Sequence, residues 1–204
     1  MKVFAAFLLI NLLTACTHLG EYSNAYDQAL EAEWASNYEQ SMIKYKEAYD
    51  LAIADNAHEH YISAALYGYG RMLGYTCNFN MAEEILKESL AIQTKIGYPT
   101  LPEKNTYMAK RLSELGRLNL AQKDFAEAAR YFRLALEKLK WLSFEDEDPI
   151  GYANYLKDYA YALEKIGNIE QAEYQKQRIN ELENKYDKAK ALHIYRSYND
   201  VCAK

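Results

Sequence analysis

The chain is poor in the two residues that interrupt helices, with 3 prolines and 8 glycines among its 204 residues. Proline removes a backbone hydrogen bond from a helix and glycine adds backbone entropy, so their scarcity permits long helices. From Glu21 onward apolar residues recur at three- and four-residue spacing, and the strict alternation of a half-buried strand is absent. The sequence therefore predicts an all-α protein with one domain or one short repeat array.

An excess of basic residues is also absent. The chain has 24 Lys and Arg residues against 29 Asp and Glu residues, which gives a formal net charge of -5. Binding to nucleic acid requires a basic stripe, so we predict no nucleic-acid partner. Tyrosine, in contrast, is abundant, with 20 residues. Its ring suits half-buried seams and its hydroxyl needs a hydrogen-bonding partner, so we interpret most tyrosines as packing between helices.

Patterns that support catalysis or metal binding are missing. His58 and His60 are two residues apart and point to different faces of a helix, whereas zinc-binding pairs on helices prefer spacings of three or four. Gly68 and Gly70 lie inside a helical pattern rather than after a strand, so they do not form a dinucleotide loop. We interpret the acidic run 145–148 as a solvated loop that binds a divalent cation weakly at most. The sequence predicts no enzyme, no cofactor and no metal site.

The first sixteen residues have the features of a secretion signal. Lys2 supplies a positive charge, Val3 to Leu13 is an apolar run too short for a permanent membrane helix, and Leu13-Thr14-Ala15-Cys16 follows. This last motif resembles the bacterial lipobox. The resemblance implies cleavage before Cys16, a diacylglyceryl group on its thiol and a further acyl chain, such as palmitate, on its amine. The alternative is an ordinary signal peptide followed by a chance cysteine.

The lipobox resemblance implies a lipid-anchored protein of the bacterial cell envelope, because several acyl chains on one residue attach a protein durably to a membrane. Thr17, rather than aspartate, follows the cysteine, which resembles the sorting pattern for the outer membrane, facing the periplasm. No later segment is long and apolar enough to cross a membrane. We expect a signal peptide at 1–15, a lipidated tether at 16–23, a helical repeat domain with a long C-terminal capping helix at 24–199, and a tail at 200–204.

One pattern of large and small residues recurs along the chain. Its clearest copy comprises Leu112, Leu115, Gly116, Phe125, Ala128, Phe132 and Ala135. This pattern is similar to the tetratricopeptide repeat (TPR). Corresponding small residues at Ala29, Gly70, Gly116 and Ala160 are 41, 46 and 44 residues apart. These intervals exceed the usual repeat length of about 34, which indicates extended loops or helices.

The TPR resemblance implies an all-α fold of antiparallel helical hairpins stacked in a right-handed α-solenoid. The expected helix pairs are about 22–35 with 38–54, 58–75 with 79–97, 103–121 with 125–142, and 150–166 with 169–197. Within the third pair, Gly116 is expected to face Ala128 at the closest approach of the two helices. An irregular helical bundle is the main alternative.

The same resemblance predicts a binding face, because the first helix of each TPR hairpin lines the concave side of the array. Its members in this sequence are Tyr26, Tyr67, Arg71, Lys110, Arg117, Asn154, Lys157 and Tyr161. These basic and aromatic residues suit carboxylates and apolar side chains of a bound peptide. The alternatives are a solvated face without a ligand, or a groove filled by the protein's own last helix.

These features predict a membrane-anchored scaffold or adaptor that binds other envelope proteins or peptides, for example in secretion, pilus assembly or cell-wall maintenance. The alternative is a protein that binds a small ligand or a peptidoglycan fragment. In an oxidising periplasm, Cys77 and Cys202 could form a disulfide. The favoured interpretation is a buried Cys77 and a loose Cys202. The sequence does not predict the oligomeric state.

Overall fold

The computed structural model describes residues 20–96, 105–140, 143–187 and 196–202. The predicted signal peptide and the lipidation site Cys16 lie outside these residues. The described residues contain no β-strand. Their helices are α1 (20–34), α2 (Tyr38–Ala54), α3 (Glu59–Tyr75), α4 (Phe79–Ile96), α5 (Asn105–Ala121), α6 (Phe125–Lys140), α7 (Phe144–Glu147), α8 (Pro149–Lys165), α9 (Ile169–Lys185) and α10 (Tyr198–Cys202).

The chain divides into two compact units, Met1–Ile92 and Gln93–Lys204. In the part that the structure describes, unit 1 contains α1, α2, α3 and most of α4. Unit 2 contains the last turn of α4 and helices α5 to α10. No helix of the described ranges combines the length and the apolar character needed to cross a membrane.

The helical hairpins share one type of turn. Two residues after the end of the first helix of each hairpin, one residue has positive φ, and the residue after it donates its N–H to the carbonyl five positions back. This arrangement satisfies carbonyls at the helix end that would otherwise lack a partner. The donors Asn37, Asn78, Asp124 and Asn168 are separated by 41, 46 and 44 residues, which are the intervals predicted from the repeat. The residues with positive φ are Ser36, Cys77, Lys123 and Gly167.

In unit 1, α3 lies so close to its neighbours that only small residues fit at the contacts. A Cβ atom on Gly68 would lie 2.4 Å from two ring carbons of Tyr45, so the Tyr45 ring lies directly against the α3 backbone. Ser63 and Ser89 join α3 to α4. Each hydroxyl donates to the backbone carbonyl of the other serine, at 3.0 Å from Ser63 and 2.7 Å from Ser89.

In unit 2, the small residue of the clearest repeat has a different neighbour from the one expected. A Cβ atom on Gly116 would first meet the ring of Phe132, at 2.9 Å, rather than Ala128. The aromatic ring fills the space between α5 and α6 because it is larger than the alanine one turn before it. Phe132 also packs against α8 of the following hairpin. Gly70 in unit 1 lies against Leu86 in the same manner.

Three predicted boundaries are wrong. The long capping helix ends at Lys185 instead of 197, because the backbone becomes extended at Tyr186. Residues 200–202, expected in a loose tail, belong to α10. Residues 20–23, expected in the tether, are already helical, and Tyr22 is buried against two other tyrosine rings.

The acidic run 145–148 is also more ordered than a solvated loop. Its first three residues lie in α7, where Glu145 pairs with Arg178 of α9. Asp148 is only 2% exposed and caps α8, since its carboxylate accepts a hydrogen bond from the Gly151 N–H at 2.9 Å. Glu145 and Asp148 therefore have partners within the protein, whereas the sequence suggested that these carboxylates face solvent or bind a cation.

Candidate binding groove

The predicted binding residues are divided between the two units. Tyr26, Tyr67 and Arg71 lie in unit 1, and the other five lie in unit 2. Of these five, Arg117, Asn154 and Lys157 line one cavity of about 340 Å³ between α5, α8 and the segment 196–202. We call this cavity the α5–α8 groove and residues 196–202 the C-terminal segment. The described lining of the groove comprises Arg117, Asn154, Lys157, Asp158, Arg196, Ser197 and Asp200.

In unit 1, the three predicted residues belong to a cluster that is connected to the carboxylate of Glu33. Glu33 lies 2.7 Å from the Arg71 guanidinium and accepts a hydrogen bond from the Tyr45 hydroxyl at 3.0 Å. The Tyr26 ring meets the Tyr45 ring edge-on, with 5.3 Å between centroids, and Arg71 lies 5.4 Å from the centre of the Tyr67 ring. The Arg71 charge is therefore paired within the unit, and these residues form a packed polar cluster.

Burial controls the ionisation of the tyrosines in this cluster. The pKa of Tyr45 is raised above its usual range, mainly by burial and to a smaller extent by the negative charge of Glu33. Burial likewise raises the pKa of Tyr22. The Tyr45 hydroxyl consequently keeps its proton and remains a hydrogen-bond donor to Glu33.

In unit 2, Arg117 forms the floor of the α5–α8 groove and is only 6% exposed. Its Nε donates to the Asp158 carboxylate at 2.9 Å, its Nη1 lies 3.6 Å from Glu114, and its guanidinium lies 5.2 Å from the centre of the Tyr155 ring. Burial raises the pKa of the Asp158 carboxyl, and the nearby Arg117 charge partly opposes this effect. The charged groups at the floor of the groove thus compensate one another.

The chain's own C-terminal segment forms one wall of the α5–α8 groove, through Arg196, Ser197 and Asp200. Helix α10 packs against α5, and Tyr198 at its start is only 1% exposed. The Tyr198 hydroxyl donates a hydrogen bond to the buried carboxylate of Glu114. The cavity lies beside this segment, so the protein's own C-terminal residues border the groove and do not fill it. The bordering element is the short α10 rather than the long helix α9.

The remaining predicted residues have other neighbours. Lys157 pairs with Glu183 of α9 at 2.5 Å, and Lys110 is half-buried two turns before Arg117 on α5. Tyr161 is 44% exposed, and its ring meets the Phe125 ring edge-on at 6.1 Å. The face expected to be basic and aromatic therefore carries carboxylates beside its cations.

Sequence reasoning missed the carboxylates of the groove and the buried pair of Tyr198 and Glu114 beside it. Asp158 lies 41 residues after Arg117, close to one repeat interval, so a search for carboxylates one repeat after each arginine could have found this pair. Glu114 and Tyr198 are 84 residues apart, and no periodic pattern connects them.

Cys77, Cys202 and His58 have structural roles. Cys77 and Cys202 are both disulfide-bonded, so the favoured interpretation of Cys202 as a loose thiol is wrong. The His58 ring accepts a hydrogen bond from the His60 N–H at 3.2 Å and caps the start of α3. Within the described ranges, no group of three or more His, Cys, Asp and Glu residues is arranged to hold a metal ion.

No protein-family model and no curated protein matches this sequence. Solved structures do match it. The apo form of RapI superposes with a TM-score of 0.69 at 14% identity, covering 81% of this chain and 57% of RapI, so the chain spans little more than half of RapI's length. A Podosopora anserina protein with nearly identical TPR-like repeats has a TM-score of 0.47 at 14% identity, covering 80% of this chain and 95% of that protein. MamA has a TM-score of 0.34 at 15% identity, covering 86% of this chain and 98% of MamA.

At these identities a structural match concerns the fold alone, and the RapI superposition is the one on which that conclusion depends. The recurring hairpins and their shared turn agree with it. The chain has a TPR-type helical repeat fold.

Proposed function

We propose that this protein is a scaffold or adaptor of the bacterial cell envelope that holds a partner through the α5–α8 groove of unit 2. The observation that carries the proposal is the cavity of about 340 Å³ between α5, α8 and the C-terminal segment, whose lining includes Arg117, Lys157 and Asp158. Beside this cavity α5 already holds a short peptide segment, because Tyr198 is buried and its hydroxyl donates to Glu114. A charged groove next to that contact has room for a peptide segment of a partner protein. No catalytic activity is part of the proposal.

The charges of the groove support selective binding of a polar peptide. Arg117 and Lys157 contribute positive charge beside the carboxylate of Asp158. Charges of both signs on one surface favour partners with a matching pattern and disfavour those with a mismatched one. The groove therefore discriminates between peptides by their order of charges, and it does not act as a general basic surface.

The lipobox motif supports the cellular part of the proposal. With Cys16 lipidated, the protein is held at the envelope, at the outer membrane and facing the periplasm, where its partners are other envelope proteins in secretion or pilus assembly. Metabolic labelling with a palmitate analogue tests the anchor. The native chain should carry the label and the Cys16→Ser variant should not, and equal labelling of the two would contradict the assignment.

Crosslinking in intact membranes tests the scaffold. The native chain should recover one recurrent partner, and a Lys157→Glu variant should recover less of it because the change reverses a groove charge. Arg133→Glu is the matched control, because the two side chains have similar exposure and each pairs with a glutamate. Lys157 is 47% exposed and pairs with Glu183. Arg133 is 54% exposed and pairs with Glu137. Equal loss in both variants, or in neither, would exclude the groove as the binding site.

Two arginines of the predicted binding face are unsuitable for such a test. Arg71 and Arg117 are paired with Glu33 and Asp158 inside their own units. Reversing either charge would place like charges together in a buried cluster and lower stability, whatever the protein binds.

A second candidate function is the binding of a peptidoglycan fragment. The groove volume of about 340 Å³ lies within the range of small-molecule sites, and its lining has charges of both signs, which suits a zwitterionic peptide. A thermal-shift screen against muropeptides tests it. A specific fragment should raise the melting temperature with increasing concentration, and no shift at millimolar concentration would exclude this function.

A further inference from the structure

The folded chain begins closer to the lipidation site than the sequence predicted. The expected tether was 16–23, but α1 already begins at residue 20. Tyr22 is only 6% exposed, its ring lies 5.1 Å from the Tyr61 ring between centroids, and its hydroxyl donates to the Tyr61 carbonyl at 3.2 Å. These contacts join the start of α1 to α3. The link between Cys16 and a fixed point of unit 1 is therefore short.

The length of this link limits how far unit 1 can lie from the membrane. A fully extended chain advances at most about 3.5 Å per residue, so the steps from Cys16 to Gly20 span at most about 14 Å. Acyl chains on Cys16 would hold that residue at the level of the lipid headgroups. The start of α1 would then lie within about 14 Å of the headgroups. The side chains beside it are consequently presented to lipid at high effective concentration.

Two exposed apolar side chains lie at this end of unit 1. Ala52, near the end of α2, and Ala65 of α3 pack with Tyr22 in one core cluster, so the end of α2 and the start of α3 lie beside the start of α1. Ile53 is 51% exposed and Tyr61 is 38% exposed. Tyrosine and aliphatic side chains are favourable at the boundary between headgroups and acyl chains. We call the start of α1 with Ile53 and Tyr61 the N-terminal end of unit 1.

The side of α1 is less suited to lipid than this end. A helix that lay flat on the membrane would bring carboxylates against the lipid, and removing charged groups from water is unfavourable. Trp34, the last residue of α1, lies about 21 Å from Gly20 because a helix rises by about 1.5 Å per residue. The exposed residues of α1 before Trp34 are Gly20, Glu21, Ser23, Asn24, Asp27 and Glu31.

We propose that the N-terminal end of unit 1 docks on the lipid bilayer that holds the acylated Cys16, and that the short link keeps it there. Ile53 and Tyr61 lie at the level of the headgroups, and α1 points away from the membrane. The inference rests on the lipid anchor of the proposed function and adds a second contact between the protein and the membrane.

Photocrosslinking to lipid tests this contact. The full lipidated chain, with p-benzoylphenylalanine in place of Ile53, Tyr61 or Trp34, is reconstituted into phosphatidylcholine vesicles and irradiated. Mass spectrometry then measures the fraction of chains that carry a lipid adduct. Position 34 is the control, because Trp34 belongs to the same unit and is 78% exposed. Positions 53 and 61 should each give at least about fivefold more adduct than position 34.

Equal yields at positions 61 and 34, or no adduct at either position 53 or position 61, would overturn the proposal. Circular dichroism establishes that each variant is folded. If the substitution at position 61 unfolds the chain, position 53 alone decides the comparison with position 34, since Ile53 is the more exposed of the two.

A longer link tests whether the short one holds this end at the membrane. About twenty Gly and Ser residues inserted between Leu19 and Gly20 would add a mean span of about 25 Å. The lipid adduct at position 61 should then fall by at least about threefold, because the effective concentration of lipid at this end is lower. An unchanged yield would contradict the proposal.

The palmitate label separates this inference from the proposed anchor. A chain that carries the label but gives equal adducts at positions 61 and 34 would keep the anchor and exclude the docking. A chain that carries no label would exclude the anchor, and the docking with it.

Discussion

A tyrosine hydroxyl paired with a carboxylate beside an arginine occurs in each unit of this protein. In both places the tyrosine is almost completely buried, and the carboxylate accepts its hydrogen bond while facing the positive charge. The pairing lets aromatic rings enter polar surroundings without leaving the hydroxyl unsatisfied. The residues are Tyr45, Glu33 and Arg71 in unit 1, and Tyr198, Glu114 and Arg117 in unit 2.

The raised pKa of Tyr45 predicts a loss of stability in alkali. In the unfolded chain a tyrosine side chain loses its proton at about pH 10, whereas the buried Tyr45 of the folded chain keeps its proton at higher pH. The contribution of the protonated Tyr45 to the stability of the folded state is fully present below about pH 10. It is lost as pH rises further, because only the unfolded state releases the tyrosine proton. Above about pH 10, the free energy of unfolding should fall by roughly 1.4 kcal/mol per pH unit more in the native chain than in Tyr45→Phe. Urea unfolding at several pH values measures both slopes, and parallel slopes would contradict the prediction.

The contact between Gly68 and Tyr45 predicts how much stability the protein loses when one methyl group is added at position 68. In Gly68→Ala the new Cβ would lie 2.4 Å from two ring carbons of Tyr45, so the ring or α3 must shift. Overpacking of this kind costs more than alanine gains in helix propensity, and the expected net destabilisation is about 2 kcal/mol. Gly20→Ala is the control, because no atom lies within 4 Å of its added Cβ. Chemical denaturation should show a lower unfolding free energy in the first variant alone.

At the scale of the elements, the repeat interval was predictable and the details of the helix ends were not. The spacing from Asn37 to Asn168 follows from the recurrence of large and small residues, because each hairpin repeats the same packing. The end of α9 at Lys185 could not be predicted, since residues 186–197 continue a helix-compatible pattern. The position of Tyr198 depends on a contact with Glu114, 84 residues earlier, which local patterns do not encode.

The shared turn predicts opposite effects for two substitutions at equivalent positions. Lys123 has φ 65° and Gly167 has φ 79°, a region in which side chains are strained and glycine is not. Lys123→Gly should therefore raise the free energy of unfolding by about 1 kcal/mol, and Gly167→Ala should lower it by a similar amount. Thermal and urea unfolding of the two variants test this pair, and changes of the same sign would show that backbone strain does not govern the turn.

At the scale of the molecule, the segment that borders the α5–α8 groove also carries a covalent restraint. Cys202 is disulfide-bonded and ends α10, four residues after the buried Tyr198. A disulfide restricts the conformations of the unfolded chain and thereby stabilises the folded state. Breaking this bond should therefore lower the free energy of unfolding.

This argument predicts that reduction destabilises the chain. Dithiothreitol supplies the two electrons and two protons that convert a disulfide into two thiols, and Cys202→Ser removes the bond permanently. Either treatment should lower the free energy of unfolding by about 2 to 4 kcal/mol, because the unfolded chain regains conformational freedom. In the Cys202→Ser chain the bond is already absent, so dithiothreitol should change the free energy of unfolding by less than about 0.5 kcal/mol. Urea unfolding with and without dithiothreitol measures both values, and an equal loss on reduction in the two chains would show that the disulfide of Cys202 is not its cause.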